Sequence, residues 1–244
     1  MNLRGKTALV TGGAVRIGKA VCEALAAEGC HVVIHCSRSV QAAEQLARRL
    51  RGFEVKAWVV KEAIDSEADC RSLMAGVLKQ AGTLDILVNN AAVFHKTRLK
   101  AVTEQKLRME FGINLFAPIL LTRLFAEQAE KGAVVNLLDR RIKANDVDCL
   151  PYSLSKKALA SFTEEAALAL APDITVNAVA PGPVLPPPGK GAPYFHERAG
   201  LIPLKCRITP HDIAAGVIQL LKLEGVTGQT LFMDGGQHLL GNGV

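Results

Sequence analysis

The sequence predicts an α/β fold: a single domain over residues 1–244, built as a doubly wound parallel sheet of about seven strands flanked by helices. Two observations carry that prediction. Short apolar runs recur with amphipathic stretches between them, and the repeated switch from a period of two to a period of 3.6 marks βαβ units. The 244 residues, 49% hydrophobic and 21% charged, exceed the usual ~100–200 of one domain but suit an α/β fold filled as one unit. They also supply enough apolar surface to offset the entropy of ordering a large core.

In chain order, the strand candidates are Thr7 to Val10, His31 to His35, Val55 to Val60, Ile86 to Val88, Ala133 to Leu137, Ile174 to Val179 and Thr230 to Phe232. Between them, helical periodicity covers Ile17 to Glu28, Ser39 to Leu50, Ser66 to Gln80, Thr103 to Glu130 with interruptions, Pro151 to Leu170, and Pro210 to Leu221. Strands and helices alternate along the chain, which calls for a parallel sheet covered on both faces. No internal repeat or linker is visible. The one compositional break, Ala180 to Pro203, is rich in Pro and Gly. Because it follows a C-terminal strand end, where doubly wound folds bind ligands, it reads as a substrate lid around 182–203, with a tolerated surface insertion as the alternative. Tyr194, Phe195 and His196 would either enter the pocket or pack the lid down.

Composition excludes several classes. The net charge of +6 and pI near 9.1 raise the question of nucleic acid. However, the basic groups Arg48, Arg49 and Arg51 at one helix end, and Arg140, Arg141 and Lys143 in one loop, have no aromatic platform between them. A solvated surface beside an anionic ligand is the expectation. The six cysteines (Cys22, Cys30, Cys36, Cys70, Cys149, Cys206) form no C-x-x-C pair and read as reduced, semi-buried thiols. The histidines lack the spacing of a helical metal site and are expected on the surface or in packing. No apolar run approaches the ~20 residues of a membrane span. Arg4 and Lys6 lead straight into the first strand with no signal peptide, so a cytoplasmic location is expected.

Two stretches carry chemistry. Thr11-Gly12-Gly13-Ala14-Val15-Arg16-Ile17-Gly18 joins the first strand to the first helix. Glycines there allow a tight turn and close approach of backbone to a pyrophosphate, held by the N–H groups and dipole of the helix start. The second strand ends in His35-Cys36-Ser37-Arg38-Ser39, where a site specific for NAD would carry an acidic residue against the ribose hydroxyls. An arginine flanked by hydroxyls suits a 2′-phosphate, so NADPH is expected over NADH. Ser39 also reads as the cap of the next helix. Further on, Tyr152 and Lys156 stand four apart and project from one helix face. A nearby ammonium is expected to lower the tyrosine pKa from its usual ~10 and make the hydroxyl a proton donor near neutrality.

Together these motifs resemble the short-chain dehydrogenase/reductase family along nearly the whole chain, which implies a Rossmann-like fold. The resemblance implies that Thr11, Gly12, Gly13, Ile17 and Gly18 belong to the phosphate turn. It implies further that Asn89-Asn90-Ala91-Ala92 lines the cofactor site through Asn90 and Ala91, and that Asn114 is a proton-relay asparagine. Pro181-Gly182 matches the motif after strand six, Tyr152 the general acid, and Lys156 the tyrosine activator and ribose binder. The departures resemble the pteridine reductase branch, including its dihydromonapterin-reducing relatives. Arg16 stands where glycine is common, Asp139 replaces the usual catalytic serine, and Phe94 follows the Asn-Asn-Ala stretch. That likeness implies that Arg16 reaches cofactor phosphate and pterin, that Phe94 stacks on the pterin, and that Asp139 works with Tyr152 in proton delivery. The family's adenine-contacting aspartate is displaced to Ala63, leaving Asp65 as a substitute, and Ala92 stands where trypanosomatid members carry serine.

The expected activity is therefore NADPH-dependent reduction of a pterin. Reduction of another carbonyl, such as a 3-oxoacyl thioester or a sugar, is the alternative, and an NADP-binding sensor without turnover is another. The helix from Pro151 to Leu170 is apolar on more than one face, which burial within one chain or association explains, and the resemblance to the family implies a homotetramer. No metal site is expected.

Overall fold

The computed structural model describes residues 1–186 and 202–240. Within them the elements run β1 Thr7–Val10, α1 Arg16–Ala27, β2 His31–Cys36, α2 Val40–Leu50, β3 Ala57–Lys61, α3 Glu67–Ala81 and β4 Ile86–Asn89. There follow α4 Glu104–Phe111, a π-helical turn at Gly112–Phe116, α5 Ala117–Gln128, β5 Gly132–Leu137, α6 Leu150–Ala169, β6 Ile174–Pro181, α7 Pro210–Lys222 and β7 Thr230–Met233. The seven strands form one parallel sheet in the order β3-β2-β1-β4-β5-β6-β7. The strand order reverses between β1 and β4, so the loops leaving those two strands diverge and open a crevice at the carboxyl edge.

Successive strand residues point to opposite faces, and both are buried. Ala8, Val10, Val32 and Ile34 pack with α1, α2 and α7 through Leu25, Leu50, Ile213 and Val217. Their neighbours Leu9, Val33, Leu87 and Val134 pack with α3 and α5 through Leu73, Leu121 and Phe125. Capping boxes at Ser66 with Asp69 and Thr209 with Asp212 fix the starts of α3 and α7.

Three expectations change. The third strand begins at Ala57 rather than Val55, because Arg51–Phe53 add a 3-10 turn and Glu54 takes a left-handed φ of 61°. The interruption expected within Thr103 to Glu130 is the π turn, which leaves the helical run continuous. By length and composition, that run, Glu104–Gln128, would suffice to cross a membrane. The charged front of α4 hides this in the sequence, and the buried face, with Leu121 and Phe125, packs into the core. Five cysteines are buried, Cys206 is exposed, and all six are free. Residues 187–201, including Tyr194, Phe195 and His196, lie outside the described residues, as does most of the expected lid.

Candidate active site

The turn after β1 is built as its glycines demand. Gly12 has a φ of +62°, and a side chain at Gly18 would stand 2.6 Å from Asn90 Nδ2 and 2.9 Å from Gly13 Cα. Gly13 serves packing instead: a Cβ there would meet Cys22 Sγ and the Val10 carbonyl at 2.9 Å each. Thr11 Oγ1 accepts from the backbone N–H groups of Asn90 (2.9 Å) and Ala91 (3.0 Å), and Asn90 Nδ2 donates to the Thr11 carbonyl at 2.8 Å. The loops leaving β1 and β4 are thus tied together at the crevice. Arg16 opens α1 with a φ of 55°. A non-glycine residue costs about 1–2 kcal/mol in that region. Its guanidinium reaches the Pro186 carbonyl at 3.4 Å.

His35 is a participant that the sequence reading passed over as packing. Its Nδ1 accepts from Gly12 N–H at 3.2 Å, which leaves Nε2–H to donate to the Glu62 carbonyl at 3.1 Å. Burial pushes its pKa down, favouring the neutral ring that this bonding needs.

Two adjoining clefts share Arg16, Ile17, Asn90, Ala92 and Tyr152. The larger, about 890 Å³, is lined by Gly12, Gly18, Ser37, Arg38, Asp65 and Ala91 among others. The smaller, about 400 Å³, is lined by Phe94, Asp139, Arg141, Lys156, Pro181 and Gly182 with neighbours. Ser39 is not in either lining, and although it precedes α2 its side chain makes no capping hydrogen bond. Thr11, Gly13 and Asn114 are not in the linings either and act from behind.

At the centre, the Tyr152 hydroxyl donates to Asp139 Oδ2 at 3.1 Å. Asp139 is held in turn by Arg141, whose Nη1 reaches Oδ1 at 3.1 Å and Oδ2 at 3.0 Å and whose backbone N–H donates to Oδ1 at 2.9 Å. Arg141 Nε also donates to Asp146 at 2.6 Å, and its guanidinium lies 5.5 Å from the Phe94 ring centroid. Phe94 meets Tyr152 edge-on with centroids 4.8 Å apart. The expectation of a solvated basic loop holds for Lys143 and fails for Arg140 and Arg141. Arg140 is buried, and the Arg141 side chain is only 17% exposed, because the 3-10 turn after Asp139 folds both inward. Burial opposes the charge on Arg141, yet the two carboxylates hold its pKa above the usual arginine value.

The tyrosine also departs from expectation. Burial and the Asp139 carboxylate push its pKa well above that of an ordinary phenol, with Arg141 the opposing cation. The Lys156 ammonium donates to the Leu137 carbonyl at 2.7 Å, and burial lowers its pKa to about 8 against the pull of Asp139 and Glu110. Tyr152 is thus a protonated phenol at neutral pH, the form a proton donor requires. Asn114, on the π turn, exchanges hydrogen bonds with Val93: its Oδ1 accepts from Val93 N–H at 2.9 Å and its Nδ2 donates to the carbonyl at 3.0 Å. Nδ2 also reaches Glu110 and Ser155. No group of three or more His, Cys, Asp or Glu side chains placed to hold a metal occurs among the described residues.

The sheet order, the turn and the Tyr-x-x-x-Lys helix define a dinucleotide-binding oxidoreductase. The profile of the short chain dehydrogenase family matches residues 6–191, and the chain belongs to that family. FolM alternative dihydrofolate reductase 1 from Brucella canis, solved in complex with NADP, is 35% identical with a TM-score of 0.91, covering 98% of this chain and 96% of that one. Its counterpart from Brucella suis, also with NADP, is 35% identical with a TM-score of 0.92, over 98% and 97%. Glucose and ribitol dehydrogenase homolog 2 of Arabidopsis thaliana is 34% identical over 96% of this chain and 86% of its own length.

Proposed function

We propose that this protein is an NADPH-dependent reductase of a pterin, converting a dihydro form to the tetrahydro form. The observation that carries the reading is the Asp139 carboxylate, 3.1 Å from the Tyr152 hydroxyl and lining the cleft with Phe94. A carbonyl substrate gains negative charge on oxygen during reduction, and a neighbouring carboxylate disfavours that charge. A pterin C=N also takes hydride at carbon and a proton at the heteroatom, but its nitrogen is more basic than a carbonyl oxygen and is protonated earlier, and its ring N–H and amino groups are donors that a carboxylate accepts. The FolM relatives support the same reading.

The residues fit NADP. The glycine turn leaves a backbone cradle at the α1 start, and Ser37 and Arg38 are among the residues lining the larger cleft, the groups a 2′-phosphate requires. When bound, NADPH supplies the hydride. Tyr152 donates the proton to the acceptor nitrogen, while Asp139, fixed by Arg141, orients the tyrosine hydroxyl and accepts from the substrate. Arg16, which lines both clefts, would contact both ligands. The left-handed φ it tolerates fits a residue retained for its side chain. Lys156 would hold the ribose and replenish the proton, and Phe94 would offer a ring to the flat heterocycle.

The test follows NADPH oxidation with dihydrobiopterin, dihydromonapterin, dihydrofolate, an acetoacetyl thioester and a sugar. Turnover selective for the dihydropterins, lost in Tyr152→Phe with NADPH affinity kept, is the expected result. Selective turnover of the thioester or sugar, towards which the Arabidopsis thaliana relative points, would replace this reading with a carbonyl reductase. NADPH binding with no turnover would make the protein a sensor.

A further inference from the structure

Glu110 is a buried carboxylate behind the cleft that the chemistry above does not use. It lies on α4 and is 1% exposed. Its Oε1 accepts from the His95 backbone N–H at 2.8 Å and lies 2.9 Å from His95 Nδ1, while Oε2 accepts from Asn114 Nδ2 at 2.8 Å. Asn114 Nδ2 reaches on to Ser155 Oγ at 3.2 Å, and that hydroxyl donates to the Tyr152 carbonyl at 2.7 Å. One hydrogen-bonded chain therefore runs from His95, whose side chain is half exposed, through Glu110 and Asn114 to the first turn of α6. A buried carboxylate is costly unless it is paired or fully bonded, and here each contact links it to the segments that carry the reacting groups.

We propose that Glu110, seated by His95, is a positioning residue of this reductase: it braces Asn114 and, through Ser155, the turn of α6 that carries Tyr152. The proposal rests on the NADP-dependent reading above but not on the identity of the substrate. Lys156 faces Asp139 from the loop after β5, Glu110 from α4, and Tyr152 on its own helix. Arg141 lies beyond Asp139, and His95, from the loop after β4, is the ionisable partner of Glu110 itself. Both carboxylates act to raise the lysine pKa against burial, which sets it at about 8. Removing the charge of Glu110 therefore lowers it further, and the ammonium is lost at lower pH.

The experiment is the dissociation constant for NADPH as a function of pH, read by cofactor fluorescence on the full chain without substrate. The native protein should lose affinity as pH rises through about 8. Glu110→Gln, nearly isosteric, should move that midpoint to lower pH, because one of the two carboxylates that favour the ammonium is gone. Glu110→Asp keeps the charge and should restore the midpoint while kcat, measured on whichever panel substrate is turned over, falls several-fold because the shorter chain releases Asn114. A purely structural role would lower thermal stability in both variants without moving the midpoint, and that result overturns the proposal. If Glu110→Gln fails to fold, His95→Ala decides. A several-fold loss of kcat with NADPH affinity unchanged at pH 7 supports the brace, and native kcat refutes it. Failure of every pterin to react would sink the substrate reading while leaving the affinity midpoint free to judge this one.

Discussion

Replacing Arg141 with leucine removes a guanidinium that bonds both Asp139 and Asp146. The three side chains are 17%, 15% and 14% exposed, so water compensates little for the loss. Breaking a buried pair costs about 3–5 kcal/mol, because a charge is left behind without its partner. Residual exposure and the backbone N–H groups of Arg141 and Asp148 that still donate to these carboxylates bring the expectation to about 3 kcal/mol. For a chain of this size each kcal/mol moves Tm by ~2–4 °C, so Arg141→Leu should melt ~6–12 °C lower at pH 7. The sign with pH follows from Asp146. Burial alone would raise its pKa, but the bond to Arg141 holds it below the usual carboxylate value. Such a group contributes stability above its unfolded pKa of ~3.9 and loses it as pH falls through the folded value. The Tm gap should therefore hold from pH 7 to about 5 and narrow below about 4. Calorimetry or circular dichroism across that range measures it, with Arg98→Leu as control. Arg98 is 77% exposed in its pair with Asp148, and such pairs contribute ~0–1 kcal/mol. A gap under ~2 °C at pH 7, or one that fails to narrow in acid, would refute the claim that Asp139 and Asp146 depend on this guanidinium.

Other consequences are open to direct measurement. Arg38→Asp should weaken NADPH ~10–100-fold, the worth of a charge-assisted contact, and leave NADH unchanged or improved. Equal losses for both cofactors would remove Arg38 from the 2′-phosphate site. Gly18→Ala forces a methyl against Asn90 and Gly13. NADPH affinity should collapse with a stability loss of about 1–3 kcal/mol, and a variant that titrates like the native protein would contradict the close turn. Because Lys156 in the free protein gives up its proton at about 8, kcat/KM for NADPH should decline as pH rises through that value. A profile flat to pH ~9.5 would show that the ammonium is not required.

What could be read along the chain was whatever depends on neighbours in sequence. The alternation of periods two and 3.6 placed all seven strands and the helices, since burial on a pleated or helical face is written into every second or every third and fourth residue. The glycine turn and the Tyr152–Lys156 pair were legible for the same reason, and so was the fall of Asp139 just beyond β5. Resemblance to relatives added Phe94 and Asn114. What the sequence left open was how charges far apart in the chain pair, and how deeply they are buried. Arg141 reads as one more surface cation until the turn after β5 folds it between Asp139 and Asp146, and His35 reads as packing until Gly12 is bonded to its ring. Spacing suggested that a lysine would pull the tyrosine pKa down. The tertiary structure instead turns that lysine to the Leu137 carbonyl and sets a carboxylate against the phenol, so burial and Asp139 decide the direction. Local pattern determines which backbone forms, while electrostatics at a site depends on distance and solvent exposure, and those exist only once the sheet has brought β1, β4, β5 and α6 together.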